Sequence, residues 1–179
     1  MNYNSEYLFS RLPATTIDLS NLYSDYTTSL NRLFNYAKMT SLDIRHFNTS
    51  NVKNFSGVFG STELTRLDLS NFDTSKVVNM RAIFSGTNMK RLDLTNFNTS
   101  NVENLEYAFG STTYYKSNLE YLDISTWDTS KVTTMETMFS FQTNLQEVKV
   151  GPKWSTEGVN VNNMFNGVNK GSSVIVKIG

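Results

Sequence analysis

The chain repeats itself. From Leu67 it reads LDLSNFDTSKVVNM, and this returns at Leu92 as LDLTNFNTSNVENL, at Leu42 as LDIRHFNTSNVKNF and at Leu122 as LDISTWDTSKVTTM. The interval is 25 residues from Ile17 to Leu42, from Leu42 to Leu67 and from Leu67 to Leu92, then 30 to Leu122 and 26 to Val148. A period in this range belongs to stacked arrays, in which each unit buries its apolar face only against its neighbours. The repeat therefore predicts an elongated single body and directs attention to recognition rather than to chemistry in a cleft.

Within a unit, Leu67-Asp68-Leu69 alternates apolar and polar, the pattern of a short strand with its leucines inward. The corresponding triplets are Ile17-Asp18-Leu19, Leu42-Asp43-Ile44, Leu92-Asp93-Leu94, Leu122-Asp123-Ile124 and Val148-Lys149-Val150. Six such strands are expected to form one parallel ladder. An aromatic column follows at Phe47, Phe72, Phe97 and Trp127, expected to plug the corner of each coil. Next come Ser50, Ser75, Ser100 and Ser130, each ahead of apolar residues spaced i, i+3, i+6, i+7, as in Val77, Met80, Ile83 and Phe84. That spacing predicts a two-turn helix with the Ser as its N-cap. Asn54, Asn79 and Asn104 recur two places after the Val and are expected to bond the turn backbone and one another. The fold class expected is thus an α/β repeat, a right-handed leucine-rich-repeat-like solenoid of about six coils. Its expected parts are an N-terminal cap over 1–16, repeats over 17–170 with units starting at 17, 42, 67, 92, 122 and 148, and a closing strand in 171–179.

Composition removes several function classes. Sixteen basic and sixteen acidic residues cancel, so no electrostatic footprint for a phosphate backbone exists, and nucleic acid is not an expected partner. With no Cys and a single His, His46, neither a thiolate metal site nor a His-based triad can be assembled. No cofactor or metal is expected, and no GxSxG, P-loop or GxGxxG motif occurs. No apolar run reaches the ~18 residues of a membrane span. The opening MNYNSEYLFSRLPATT has neither the basic nor the apolar region of a signal peptide.

Leu67 to Val77, LDLSNFDTSKV, resembles at every position the repeat of the BspA-like leucine-rich repeat family of bacterial surface proteins, abundant in mycoplasmas and lactobacilli. The resemblance extends from about Ile17 to Phe165. It implies a solenoid with cell-surface or adhesive roles and no catalysis. The frequent Cys of that family is replaced here by Thr62, Thr87, Thr112, Gln142 and Val168.

Two features are candidate sites. Asp18, Asp43, Asp68, Asp93 and Asp123 fall in one outward column, where adjacent carboxylates repel. They are read as acceptors from turn N–H groups and Ser/Thr hydroxyls, or as partners of Arg45, Arg66 and Arg91, in preference to a cation site. The segment Thr112–Ser117, which lengthens one repeat to 30 residues, is a loop of the kind that carries binding in repeat proteins. The expected partner contacts are Tyr114, Tyr115 and Lys116 on this loop, with Arg45, Ser70, Thr95 and Ser125 along the strand face. Trp127 is read as core and Trp154 as cap packing. The function expected is a non-enzymatic recognition or adhesion module on a cell or virion surface, presenting its repeat face to a protein or glycan. The alternatives are a structural part of a larger assembly such as a phage virion or tail and, distantly, a hydrolase.

Overall fold

A computed structural model describes residues 4–114 and 116–179. Successive repeats stack in parallel: a ladder of bridges runs Asn4, Ser29, Asn54, Asn79, Asn104, Thr134, Asn160. The stack is built almost wholly from turns. Among the described residues there is no α-helix, only one 3-10 turn over Gly171–Val174. The strands are β1 (Arg91–Asp93), β2 (Tyr121–Ile124), β3 (Glu147–Val150) and β4 (Ile175–Lys177). They form one parallel sheet in that order, with Leu92 opposite Leu122 and Leu122 opposite Val148.

The expected α/β solenoid with short helices is therefore corrected. The segments expected to be helical are runs of β-turns. In one of them Leu33 N–H donates to the Leu30 carbonyl and Ala37 N–H to Phe34, with Arg32 and Tyr36 at φ 54° and 59° in the third turn positions. Positive φ at the third position is the mark of a type II turn. The same φ recurs at Tyr7, Arg32, Gly57, Ala82, Tyr107, Thr137 and Asn163, and again at Arg11, Tyr36, Ser61, Gly86, Phe141 and Gly167. Such a residue ends any α-helix, which is right-handed throughout.

What these turns gain is a bond to the neighbouring coil. Leu30, Arg32, Phe34 and Tyr36 donate their N–H to the carbonyls of Asn54, Ser56, Val58 and Gly60 at 2.7–3.1 Å. The intervening residues bond within their own turns. Both kinds of peptide group are thus satisfied without an i to i+4 bond. The apolar residues point into the coil, where Val77, Met80, Ile83 and Phe84 are all fully buried. Phe9, Phe34, Phe59, Phe84, Phe109, Phe139 and Phe165 form a continuous ring stack, with centroids 5.5–6.1 Å apart and planes within 18° of parallel. Each such pair contributes about 0.5–1.5 kcal/mol beyond area burial.

The corner motif has three separate jobs. Asn48, Asp73, Asn98 and Asp128 accept the N–H of Ser50, Ser75, Ser100 and Ser130 at 2.9–3.1 Å. The capping acceptor is thus the Asx, and the Ser expected as an N-cap is its donor. Between them, Thr49, Thr74 and Thr99 each send a buried hydroxyl to a carbonyl of the next coil, at 3.0 Å. The Asn54, Asn79 and Asn104 column accepts the N–H two residues on, at 2.8–2.9 Å. Trp127 is core as expected, and its indole N–H donates to the Leu94 carbonyl at 3.1 Å. Trp154 is buried near the end of the stack.

The ladder of six strands is also corrected. Ile17–Leu19, Leu42–Ile44 and Leu67–Leu69 lie outside any strand. The sheet starts at β1, and the closing strand is β4, paired in parallel with β3. Charge alone does not set the change, because Asp93 and Asp123 stand opposite each other in the first closed pair, β1 and β2. Asp43 and Asp68 would face like-charged neighbours in a closed ladder, which is unfavourable. At β3 the column holds Lys149, whose ammonium lies 4.0 Å from Asp123.

A pair of substitutions tests the turn geometry. Ala82→Gly relieves a side chain held at φ 55° and should raise stability by about 0.5–1 kcal/mol, seen as a Tm increase of roughly 1–4 °C. Gly57→Ala forces a side chain into φ 61° with its Cβ 3.0 Å from Arg32 Cγ and should lower Tm. Equal effects of the two would rule out the turn assignment.

Candidate functional site

The loop inserted after Phe109 folds back over the turn side of the stack. There Tyr114 and Lys116 share a hollow of about 390 Å³ with Tyr36 and Lys38 of an earlier coil. Its floor is small, with Ser61 and Gly86 at positive-φ positions. Glu63 supplies the carboxylate on its wall. Tyr114 is 91 % exposed, a large ring that the folded chain leaves uncovered. Nearby, burial and then the Tyr36 phenol push the Tyr107 phenol up to about 12, so it stays a neutral donor at physiological pH. The hollow thus offers aromatic faces, two ammonium groups and one carboxylate, a set suited to holding a ligand.

Tyr115, expected beside Tyr114, lies outside the described residues. The other expected contacts do not join this hollow. Arg45 borders a second depression beside Asp43 and Asp68, and Ser70 and Thr95 line a third, between Leu67–Leu69 and β1. Ser125 is half-buried, its N–H bonded to Asp123. Much of the hydrogen-bonding capacity of the strand face is already used within the chain. The Ser70 and Thr95 hydroxyls donate to Asp68 and Asp93 at 2.7 and 2.6 Å, and Arg45 forks onto Asp43 at 2.7 and 3.1 Å. Sequence reasoning missed Tyr36 and Lys38. The signal for them was a Tyr at a column that holds Ser and Gly in the next two repeats, but its meaning depends on the loop folding backward.

The Asp column behaves as bonded acceptors. Asp18, Asp43, Asp68, Asp93 and Asp123 each accept the N–H two residues on, at 2.9–3.2 Å. Among the described residues, no three of His, Cys, Asp and Glu converge to hold a metal ion. The Arg45 guanidinium holds the Asp43 carboxyl down at about 2. The Ser70 hydroxyl and then its N–H lower Asp68, and Thr95 does the same for Asp93.

The family model described as Mycoplasma protein of unknown function, DUF285, matches this chain over residues 4–122 and 116–176. The first match ends and the second begins where the long repeat enters its strand. No curated protein and no solved structure matches. No helix among the described residues is long and apolar enough to cross a membrane.

The acid dependence of folding follows from the Asp column. A carboxyl whose folded pKa is depressed adds stability that is fully present above the unfolded value of about 3.9. That stability is lost as pH falls through the folded value. Tm should therefore hold from pH 7 to 5 and decline below about pH 4, with Asp43 contributing down to about pH 2. Asp68→Asn keeps the turn acceptor, as Asn48 and Asn98 do, and should flatten part of that decline while leaving Tm at pH 7 little changed. Thermal melts across pH read both effects.

Proposed function

We propose that this chain, which belongs to the Mycoplasma family of unknown function DUF285, is a non-enzymatic recognition module that presents its repeat face to a protein or glycan at a surface. One observation carries the reading. The inserted loop places Tyr114 uncovered over a hollow that also holds Tyr36, Lys38 and Lys116. Tyr supplies a large rigid contact area with a polar tip and is enriched among residues that dominate binding energy. The hollow spans several coils, so the stack serves as the base on which the loop rests. The likeness of LDLSNFDTSKV to BspA-like surface repeats supports placing the module at a cell surface.

The test measures the labelled chain against arrayed glycans and immobilised extracellular proteins, with Tyr114→Ala and Lys116→Ala beside the parent. Tyr114→Ala should weaken any captured interaction by roughly 1–4 kcal/mol and leave the thermal melt unchanged, because the ring buries little in the free chain. Binding that survives both substitutions moves the interface away from the hollow. A melt that falls with Tyr114→Ala makes the ring part of the fold.

A further inference from the structure

The two end coils lack the burial that the inner coils have. In the turn runs, the position of Leu8 holds Leu33, Val58, Ile83, Ala108 and Met138, all at most 1 % exposed, whereas Leu8 itself is 55 % exposed. At the other end, the position of Val161 holds Leu30, Phe55, Met80, Leu105 and Met135, again at most 1 % exposed, and Val161 is 40 % exposed. Phe9 and Phe165, the terminal rings of the phenylalanine stack, are half-buried. A stack that ends in water carries a polar outer face there. These ends are apolar, and their peptide groups are left over in matching sets. Met135, Thr137, Phe139 and Phe141 donate their N–H to the last run, but the equivalent donors of that run, Val161, Asn163, Phe165 and Gly167, have no acceptor among the described residues. In the first run the carbonyls of Asn4, Glu6, Leu8 and Ser10 stand where Ser29, Asn31, Leu33 and Asn35 accept in the next, and they have no donor among the described residues. The entry bond runs the opposite way, and its leftovers match as well. The Val159 carbonyl and the Asn4 N–H, both unused, are the counterparts of the Thr133 carbonyl and the Asn160 N–H, which bond at 3.0 Å. Beyond the run 160–167 the stack continues only as β4, so its last coil holds a strand and no turn run. Its first coil holds the run 4–11 and, among the described residues, no strand.

We propose that the two ends form one interface, in which the first turn run of a second copy of this chain seats on the last turn run of the first copy, head to tail. The run 4–11 of the added copy and β4 then make one complete coil. The four free N–H groups meet the four free carbonyls. Phe9 continues the ring stack on Phe165, and Leu8 and Val161 become buried as their counterparts are. A hollow of about 460 Å³ at the last coil, lined by Trp154, Met164, Phe165 and Ile175, is covered as the inner coils are covered by their neighbours. Charge does not oppose the joint. The row that carries carboxylates from Asp18 to Asp123 ends in Lys149 and Val176, so Asp18 of the added copy falls beside Val176 and no like-charged pair is created. A second copy is the occupant that fits, because the joint repeats in register the contact that the chain already makes six times between its own turn runs. Such a contact joins different faces of two copies and leaves one free face of each kind, so it propagates. These ends lie apart from the tyrosine hollow, and the inference stands whether or not that hollow binds.

Sedimentation velocity of the whole chain at rising concentration should show a series of growing oligomers. Amide exchange at Val161, Asn163, Phe165 and Gly167 should be fast in the dilute chain and slow as the oligomers form, a readout that needs no variant. Leu8→Asp and Val161→Asp each place a carboxylate in the joint, from opposite sides. Each variant alone should stay monomeric at concentrations where the parent assembles, with the melt unchanged, because both side chains are exposed in the single copy. Mixed in equal amounts, the two should form a one-to-one dimer and nothing larger, since each keeps one intact face. The proposal is overturned if the parent stays monomeric up to its solubility limit, which would leave the ends to a different protein. It is overturned if Leu8→Asp alone associates like the parent, the mark of a two-fold contact between like ends. It is equally overturned if the mixture stays monomeric while both variants melt like the parent, or if the four amides are already protected in the dilute chain.

Discussion

The direction of alternate peptide groups in the turn runs governs this molecule. In an α-helix every N–H points along the helix and is used up within it. Here every second one leaves the coil and bonds the next, as Leu30, Arg32, Phe34 and Tyr36 do. That arrangement requires positive φ at regular places, and L-residues pay about 1–2 kcal/mol for each. The four bonds that join one turn run to the next, each worth about 0.5–1.5 kcal/mol net, are of the same order. Backbone terms alone therefore come near to cancelling. The decision falls to packing, and the phenylalanine stack, in register with the bonds, supplies it.

The other side of the stack lacks that uniformity. Carboxylates recur there at every coil from Asp18 to Asp123, each accepting a bond within its own turn, and Lys149 of the next coil adds an ion pair at Asp123. Local satisfaction leaves the column repulsive between coils. The threonine hydroxyls at the corner and the Asn71 and Asn96 amides hold adjacent coils together without a continuous backbone ladder. Backbone pairing begins at β1 and β2, with Asp93 opposite Asp123, and Lys149 joins the same row one coil later. One molecule thus carries two states of the same face, open toward its first coils and closed toward its last.

The period, the buried columns and the acceptor role of the aspartates were legible in the sequence, because each depends only on spacing and residue type. The turn runs were not. A succession of three-residue steps and a helix of 3.6 residues per turn place the same residues inward over two turns, so Val77, Met80, Ile83 and Phe84 could not separate them. Two signs favoured turns: the strict i, i+3, i+6 spacing, and Gly57 within a supposed helix. The corner threonines were also overlooked. Thr49, Thr74, Thr99 and Thr129 stand between polar residues and read as surface, yet all four are buried. The site was only half legible. The insertion marked Tyr114 and Lys116, but its companions Tyr36 and Lys38 come from a coil that sequence spacing does not connect to it. The absence of pairing at the first three strand triplets had no sequence signature, since like charges stand in register in the closed β1–β2 pair as well.

Within the turn runs the sense of the inter-coil bonds is constant, although at the entry to each run the bonds go the other way, as from the Lys53 N–H to the Thr28 carbonyl and from the Val78 N–H to the Lys53 carbonyl. Each turn run donates its N–H groups to the run that follows and accepts from the one before, from Tyr7 through Phe141. The small dipoles of those peptides are therefore aligned and add along the axis of the stack. A body with no net formal charge thus receives from these runs a dipole contribution directed along the stack. The two faces of each turn run are not chemically equivalent, since one offers carbonyl oxygens and the other N–H groups.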